Sequence, residues 1–254
     1  MSDDEMLRVE NLTKRFGGVR AVDGTSLSVK KGSVTGLIGP NGSGKSTLFN
    51  LISGAEKQDS GSIYFDGKRI DKLPPHKIFE LGMGRTFQTP RLFNGMSVLE
   101  NTMLPAKGQK GESPLYALFK GRWESEELKF AEKARDELKA LEIETLYSKK
   151  SDEISGGQMK LLQLAVGLMG DPKMLLLDEP TAGVAPRLAQ DIFESIARER
   201  ENRGTTFLII EHRLEVLFRH VDHVLVMHQG KIITDGKPDS VVKDQRVIDA
   251  YLGS

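Results

Sequence analysis

The sequence has no cysteine in 254 residues. Disulfides, thiolate metal sites and cysteine nucleophiles are therefore excluded together, and a reducing compartment suits the chain. It has no excess of either charge, since 36 Lys and Arg balance 36 Asp and Glu. The basic footprint of a nucleic-acid binder is missing, so no nucleic-acid partner is expected and any polyanion site must be local. Long apolar runs are missing too: Leu161 to Met169 and Phe207 to Ile210 fall well short of the roughly 18 residues a membrane helix needs. The start, Met1-Ser2-Asp3-Asp4-Glu5, is acidic where a secretory signal is basic and then apolar, which predicts a location on the cytoplasmic side. What is present, 38% hydrophobic and 28% charged residues, is the balance of a globular protein with chain enough for one large domain or two small ones.

Strand-like runs open the chain at Leu7–Leu12, Thr25–Val29 and Val34–Ile38, the last apolar enough for a buried strand. A helix is expected over Lys45–Ser53, stopped by Gly54, then short strands at Ser62–Phe65 and Arg85–Phe87. The middle changes character. Glu124–Glu144 carries Leu128, Ala131, Ala134, Leu138 and Leu141 at helical spacing, and Gly156–Met169 predicts a second helix. Residues 89–168 thus read as a helical insertion between two parts of one core, 1–88 and 169–254. Beyond it, Lys173–Leu177 and Thr205–Ile210 alternate as strands with helices at Ala189–Arg203 and Arg213–His220. Val224–Met227 and Ile232–Asp235 then form a hairpin, and a helix at Val247–Leu252 closes the chain. The alternation predicts an α/β fold, a parallel sheet with helices on its faces, beside an antiparallel β flank and an inserted helical lobe.

Three motifs carry chemistry. Gly39-Pro40-Asn41-Gly42-Ser43-Gly44-Lys45-Ser46 fits the phosphate-loop pattern, whose backbone N–H groups cradle phosphate oxygens at a helix N-terminus. In it Lys45 would neutralise the β and γ phosphates, Ser46 would ligate Mg²⁺, and Thr47 would bond a phosphate nearer the sugar. Asp178 and Glu179 end an apolar strand, where α/β sheets hold ligands. Adjacent side chains diverge, so Asp178 is expected on Mg²⁺ and Glu179 as the residue that polarises an attacking water. No Asn-Lys-x-Asp segment that would read guanine is present. Ile154-Ser155-Gly156-Gly157-Gln158, opening a helix, offers a second anion site far along the chain from the first.

With these motifs in order, the chain resembles the nucleotide-binding subunits of ATP-binding cassette (ABC) transporters over nearly its whole length. The resemblance implies an α/β P-loop NTPase core of the ABC-ATPase fold with an antiparallel β flank and an inserted helical subdomain, ATP and Mg²⁺ as cofactors, and a set of roles. Gln88, after Arg85-Thr86-Phe87, matches the glutamine that contacts Mg²⁺ or the attacking water, and His212 matches the histidine that bonds the γ-phosphate. Phe16 falls where an aromatic ring stacks on adenine. Ser155, Gly156, Gly157 and Gln158 would act on ATP held by the phosphate loop of a second ATP-binding subunit, identical or related. Two departures stand out: Ala185 and Arg213 replace frequent aspartates. More finely, Gly84 to Phe93, Gly111 to Leu115 and Tyr251-Leu252-Gly253 are similar to LivG-type subunits. That likeness implies import of branched-chain amino acids with membrane permease subunits and an extracytoplasmic binding protein, the ATPase lying peripherally on the cytoplasmic face of the membrane. Leu92, Phe93, Met96 and Val98 are the expected permease contact. The alternatives are a cassette for another substrate, a soluble ABC ATPase working as a clamp, and a partner that binds ATP without turnover.

Overall fold

The computed structural model describes residues 4–108 and 124–252, so segment 111–115 and Gly253 of the finer resemblance lie outside it. Two sheets organise the chain. The first is antiparallel, in the order β2-β1-β4-β5. It is built from β1 (Glu5–Phe16), β2 (Val19–Lys30), β4 (Ser60–Phe65) and β5 (Lys68–Arg69). β1 and β2 run past the expected limits because their pairing continues through register shifts to the pair Phe16 and Val19, around a tight turn at Gly17-Gly18.

The second sheet, in the order β10-β9-β3-β8-β7-β6, contains β3 (Val34–Ile38), β6 (Met83–Arg85), β7 (Met174–Asp178), β8 (Thr206–Ile210), β9 (His223–His228) and β10 (Lys231–Gly236). All neighbours pair in parallel except β10, which folds back on β9. Every residue of β3, β7 and β8 is buried, as the inner strands of a sheet covered on both faces must be. Alternation divides their side chains. Leu175, Leu177, Phe207 and Ile209 join one core, whereas Leu37, Leu176, Leu208 and Ile210 join another with Leu48 and Phe49 and the antiparallel sheet.

The helices are α1 (Lys45–Ile52), α2 (Pro75–Glu80), α3 (Val98–Met103), α4 (Glu124–Ala140), α5 (Gly156–Met169), α6 (Pro186–Arg203), α7 (Leu214–His220), α8 (Pro238–Val241) and α9 (Gln245–Leu252). Among the described residues, 89–168 hold helical elements and one isolated bridge, Ser97 to Lys150, but no strand of either sheet. Three expectations need correction. β6 ends at Arg85 rather than Phe87, although the Thr86 amide still donates to the Leu176 carbonyl. α4 stops at Ala140, where the chain turns into a left-handed Glu142 at φ 59°, and its Leu128 is 62% exposed, so the buried stripe is carried by Ala134, Leu138 and Leu141. Neither α2 nor α3 is among the elements expected above, although Ser97 and Glu100 make a reciprocal capping box that sets the start of α3.

Candidate functional site

Four parallel strands run out at the same edge of the large sheet. The residues that follow β3, β6, β7 and β8 are the glycine loop, Gln88, Glu179 and His212. Topology alone therefore gathers groups scattered over more than half the chain.

The loop from Ile38 into α1 requires glycine twice for contact as well as conformation. Gly39 has φ 151° and Gly44 φ 107°. A Cβ would stand 2.0 Å from the Met227 carbonyl oxygen at Gly39, and 2.2 Å from that of Ala21 at Gly44. Gly42, at φ 76°, meets nothing within 4 Å and faces open space. The Lys45 ammonium is folded back on its own loop, donating to the carbonyls of Gly39 and Pro40 at 2.8 and 2.9 Å, with Ser43 Oγ at 3.4 Å. Burial lowers its pKa, against the pull of Glu179 and Asp178. The β9–β10 turn braces the loop, since the Gly230 amide donates to the Ser43 carbonyl at 2.9 Å and Thr25 Oγ1 donates to the Gly230 carbonyl at 2.6 Å.

A cavity of about 550 Å³ opens above the loop. Asn41, Gly42, Gly44, Lys45, Ser46 and Thr47 line it together with Gln88, Glu179 and His212. Val19, Arg20, Ala21 and Gln229 also line it; they belong to no motif and reach the site only through the packing of β2 and the last hairpin. Gly39, Pro40 and Ser43 sit behind this lining as the acceptors of Lys45. Phe16 is 49% exposed outside the lining, beneath the Lys14 ammonium at 5.1 Å, and pairs across the hairpin with Val19, which does line the cavity.

Glu179 is the junction of the site. Its Oε2 accepts from Gln88 Nε2 at 2.8 Å, and its Oε1 lies 3.0 Å from His212 Nε2. Its backbone is left-handed, at φ 49°, a conformation that costs about 1–3 kcal/mol in a non-glycine residue. Asp178 lies deeper, almost wholly buried beside the Arg85 guanidinium at 3.7 Å. Burial raises its pKa, and Arg85 opposes the rise. Next to His212, the buried Glu211 carboxylate accepts from the Thr181 amide and hydroxyl and from the amides of His212 and Arg213, which ties the end of β8 to the segment after Glu179. Neither Glu211 nor Lys160, whose ammonium reaches the carbonyls of Gln88 and Glu179, belongs to a sequence motif that would mark it.

Among the described residues no three His, Cys, Asp or Glu side chains assemble a metal cage. The donors in and behind the cavity are instead single oxygens of Ser46, Gln88 and Asp178. Such a hard, sparse set fits Mg²⁺, which keeps several waters and takes the rest of its shell from phosphates.

The Ser155–Gln158 segment stands apart from this cavity. Ser155 caps α5, its hydroxyl accepting from the Gln158 amide while Gln158 Oε1 accepts from the Ser155 amide. Ser155 and Gly156 are exposed, and a Cβ on Gly156 would meet nothing within 4 Å, whereas one on Gly157 would press on Leu188 at 2.4 Å. Ala185 and Arg213 occupy the N-cap positions of α6 and α7 without a side-chain cap, the bond an aspartate there could make. Of the four residues expected to contact a permease, Phe93 is exposed and Leu92 and Met96 are half-buried. Val98 belongs to the core, which removes it from that surface.

A family model described as ABC transporter matches residues 22–182, and one described as branched-chain amino acid ATP-binding cassette transporter matches residues 231–254. The probable branched-chain amino acid transport ATP-binding protein LivG of Methanocaldococcus jannaschii is 47% identical over 253 residues, covering 98% of each chain. A crystal structure of a nucleotide-free ATP-binding cassette from an ABC transporter superposes with a TM-score of 0.86 at 46% identity, over 98% of this chain and all of the other. A dimeric ATP-binding cassette in a post-hydrolysis state bound to ADP and Pi superposes with a TM-score of 0.77 at 26% identity, over 92% and 99% of the two chains.

Proposed function

The chain belongs to the ABC transporter family of ATP-binding cassettes, and on that footing we propose that it is the ATP-hydrolysing subunit that drives a membrane importer of branched-chain amino acids. The observation that carries the reading is the meeting of Lys45, Gln88, Glu179 and His212 around one cavity at the end of the parallel strands. The 24-residue match at the end of the chain, to a model specific for branched-chain amino acid cassettes, supports the cargo.

ATP binds with its phosphates in the glycine loop, where Gly42 leaves room for close approach and Lys45 swings from its carbonyl acceptors to the phosphate oxygens. Mg²⁺ held near Ser46 and Asp178 supplies charge neutralisation when bound. Glu179, oriented through Gln88 and His212, aligns the attacking water, and His212 donates to the γ-phosphate oxygens. Ser155 and the exposed Gly156 serve the nucleotide of a second ATP-binding subunit, so that two chains enclose two nucleotides; the dimeric cassette relative supports this arrangement. No helix among the described residues is long and apolar enough to cross a membrane, and the subunit works from the cytoplasmic face on permease partners, with an extracytoplasmic binding protein delivering cargo. The apolar cavity of about 150 Å³ between Phe79, Phe87, Leu92 and Val166, flanked by exposed Phe93, is the face offered to the permease.

The test is purification of the complex through a tag on this chain, reconstitution in proteoliposomes, and measurement of ATP-driven leucine, isoleucine and valine uptake. Uptake that vanishes with Lys45→Ala supports the reading. A complex that hydrolyses ATP without taking up these amino acids overturns the cargo, and a chain recovered without permeases overturns the transporter.

A further inference from the structure

One basic side chain in the interior has no part in the chemistry described so far. Lys160, in the second turn of α5, is 8% exposed, and its ammonium donates to the Gln88 carbonyl at 2.6 Å and the Glu179 carbonyl at 3.1 Å. One turn on, Gln163 Nε2 donates to the Phe87 carbonyl at 2.6 Å. Residues three apart share a helix face, so α5 grips two successive carbonyls of the Gln88 loop and the backbone of the carboxylate residue with a single face.

The Glu179 backbone needs such support. It is left-handed, its amide donates to the Ile210 carbonyl at 2.9 Å, and its carbonyl accepts from the Ala182 amide at 3.2 Å as well as from Lys160. The next residue, Pro180, has no N–H to contribute. Burying an ammonium is costly unless it is hydrogen-bonded, and burial does lower the Lys160 pKa against the pull of Glu179, Glu211 and Asp178. A methionine would fill the same space without that cost. A lysine here is explained by the two carbonyls it holds.

Resting on the site reading above, we infer that Lys160 is a positioning residue for hydrolysis: its ammonium fixes the Gln88 and Glu179 backbones so that their side chains meet only while α5 is docked. The N-terminus of α5 is the Ser155–Gly156 segment that serves the neighbouring nucleotide. Lys160 therefore makes the alignment of this chain's own carboxylate depend on the placement of the helix that reads the other site.

The experiment compares steady-state ATP hydrolysis by the tagged, purified complex carrying Lys160→Met, Lys160→Arg or neither. Lys160→Met is expected to lower kcat about 10- to 100-fold, the scale on which an ångström of misplacement acts, with KM for ATP and Tm close to wild type. Lys160→Arg, still able to donate to two carbonyls, restores most of the rate. In a Glu179→Gln background Lys160→Met adds no further loss, because both changes act through the same carboxylate. A wild-type rate for Lys160→Met overturns the inference. So does a loss of rate that follows Tm and ATP affinity down, is not rescued by arginine, or adds fully to Glu179→Gln. A wild-type complex without Lys45-dependent hydrolysis overturns the site reading itself, a result separable from all of these.

Discussion

At Gly39 and Gly44 an added methyl group would run into backbone oxygens at 2.0 and 2.2 Å, whereas at Gly156 it would find nothing within 4 Å. The first two glycines also hold left-handed backbone, while Gly156 sits in the ordinary first turn of a helix. The rest of this chain thus leaves Gly39 and Gly44 no choice, while Gly42 between them is free of contact. Among the described residues no contact requires a glycine at Gly156, which leaves its place open to what approaches from outside. The contrast teaches that the phosphate loop is shaped by contacts inside the fold, whereas the start of α5 is open on the surface, as the proposed service to a second subunit requires.

The contrast would break if the loop tolerated side chains. Gly44→Ala, with a steric clash and a left-handed backbone together, is expected to cost about 3 kcal/mol or more, read as a large fall in Tm with loss of ATP binding by calorimetry. Gly156→Ala sharpens it from the other side. Folding stability should stay within about 1 kcal/mol of wild type, on the favourable side because alanine is the better helix residue, and ATP binding to the single chain should be unchanged. ATP turnover by the assembled complex should nonetheless drop about 100-fold, near 2.7 kcal/mol of transition-state stabilisation.

A smaller effect separates the two halves by charge. Asp178, behind the loop, has a folded-state pKa raised by burial, so the folded protein holds that proton more tightly than the unfolded chain. Its contribution to stability is highest below the ordinary carboxylate range and declines as pH rises through the raised value. Asp178→Asn should remove that decline, leaving the nucleotide-free protein more heat-stable than wild type at pH 8 while Mg²⁺-dependent hydrolysis is lost.

What could be read from the sequence divides along a physical line. Val34–Ile38 and Gly156–Met169 were legible to the residue because their signals are local, an apolar run ending in glycine and a serine cap with its reciprocal glutamine. The glycine loop and the Asp178–Glu179 pair could be singled out because phosphate chemistry restricts residue type at fixed spacing, whereas Gln88 and His212 were marked only by the resemblance to ABC subunits. Lys160 and Glu211 carry no such signal: each is an ordinary charged residue until tertiary folding brings carbonyls or amides within 3 Å or so of it. Leu128 misled for the converse reason, since helical spacing marks a face but not whether neighbours extend far enough to cover it. The open lining residues Arg20, on β2, and Gln229, in the β9–β10 turn, belong to segments whose patterning says nothing about a ligand.

The bracing of the phosphate loop by Gly230, and the position of β3 between β8 and β9, bear on how the protein is born. A chain leaving the ribosome from its N-terminus would expose the loop early, yet the strands and the turn that shape it lie far downstream in the sequence. Such long-range pairing is slow to form. The phosphate loop therefore reaches its braced shape only once β8, β9 and the Gly230 turn have joined it.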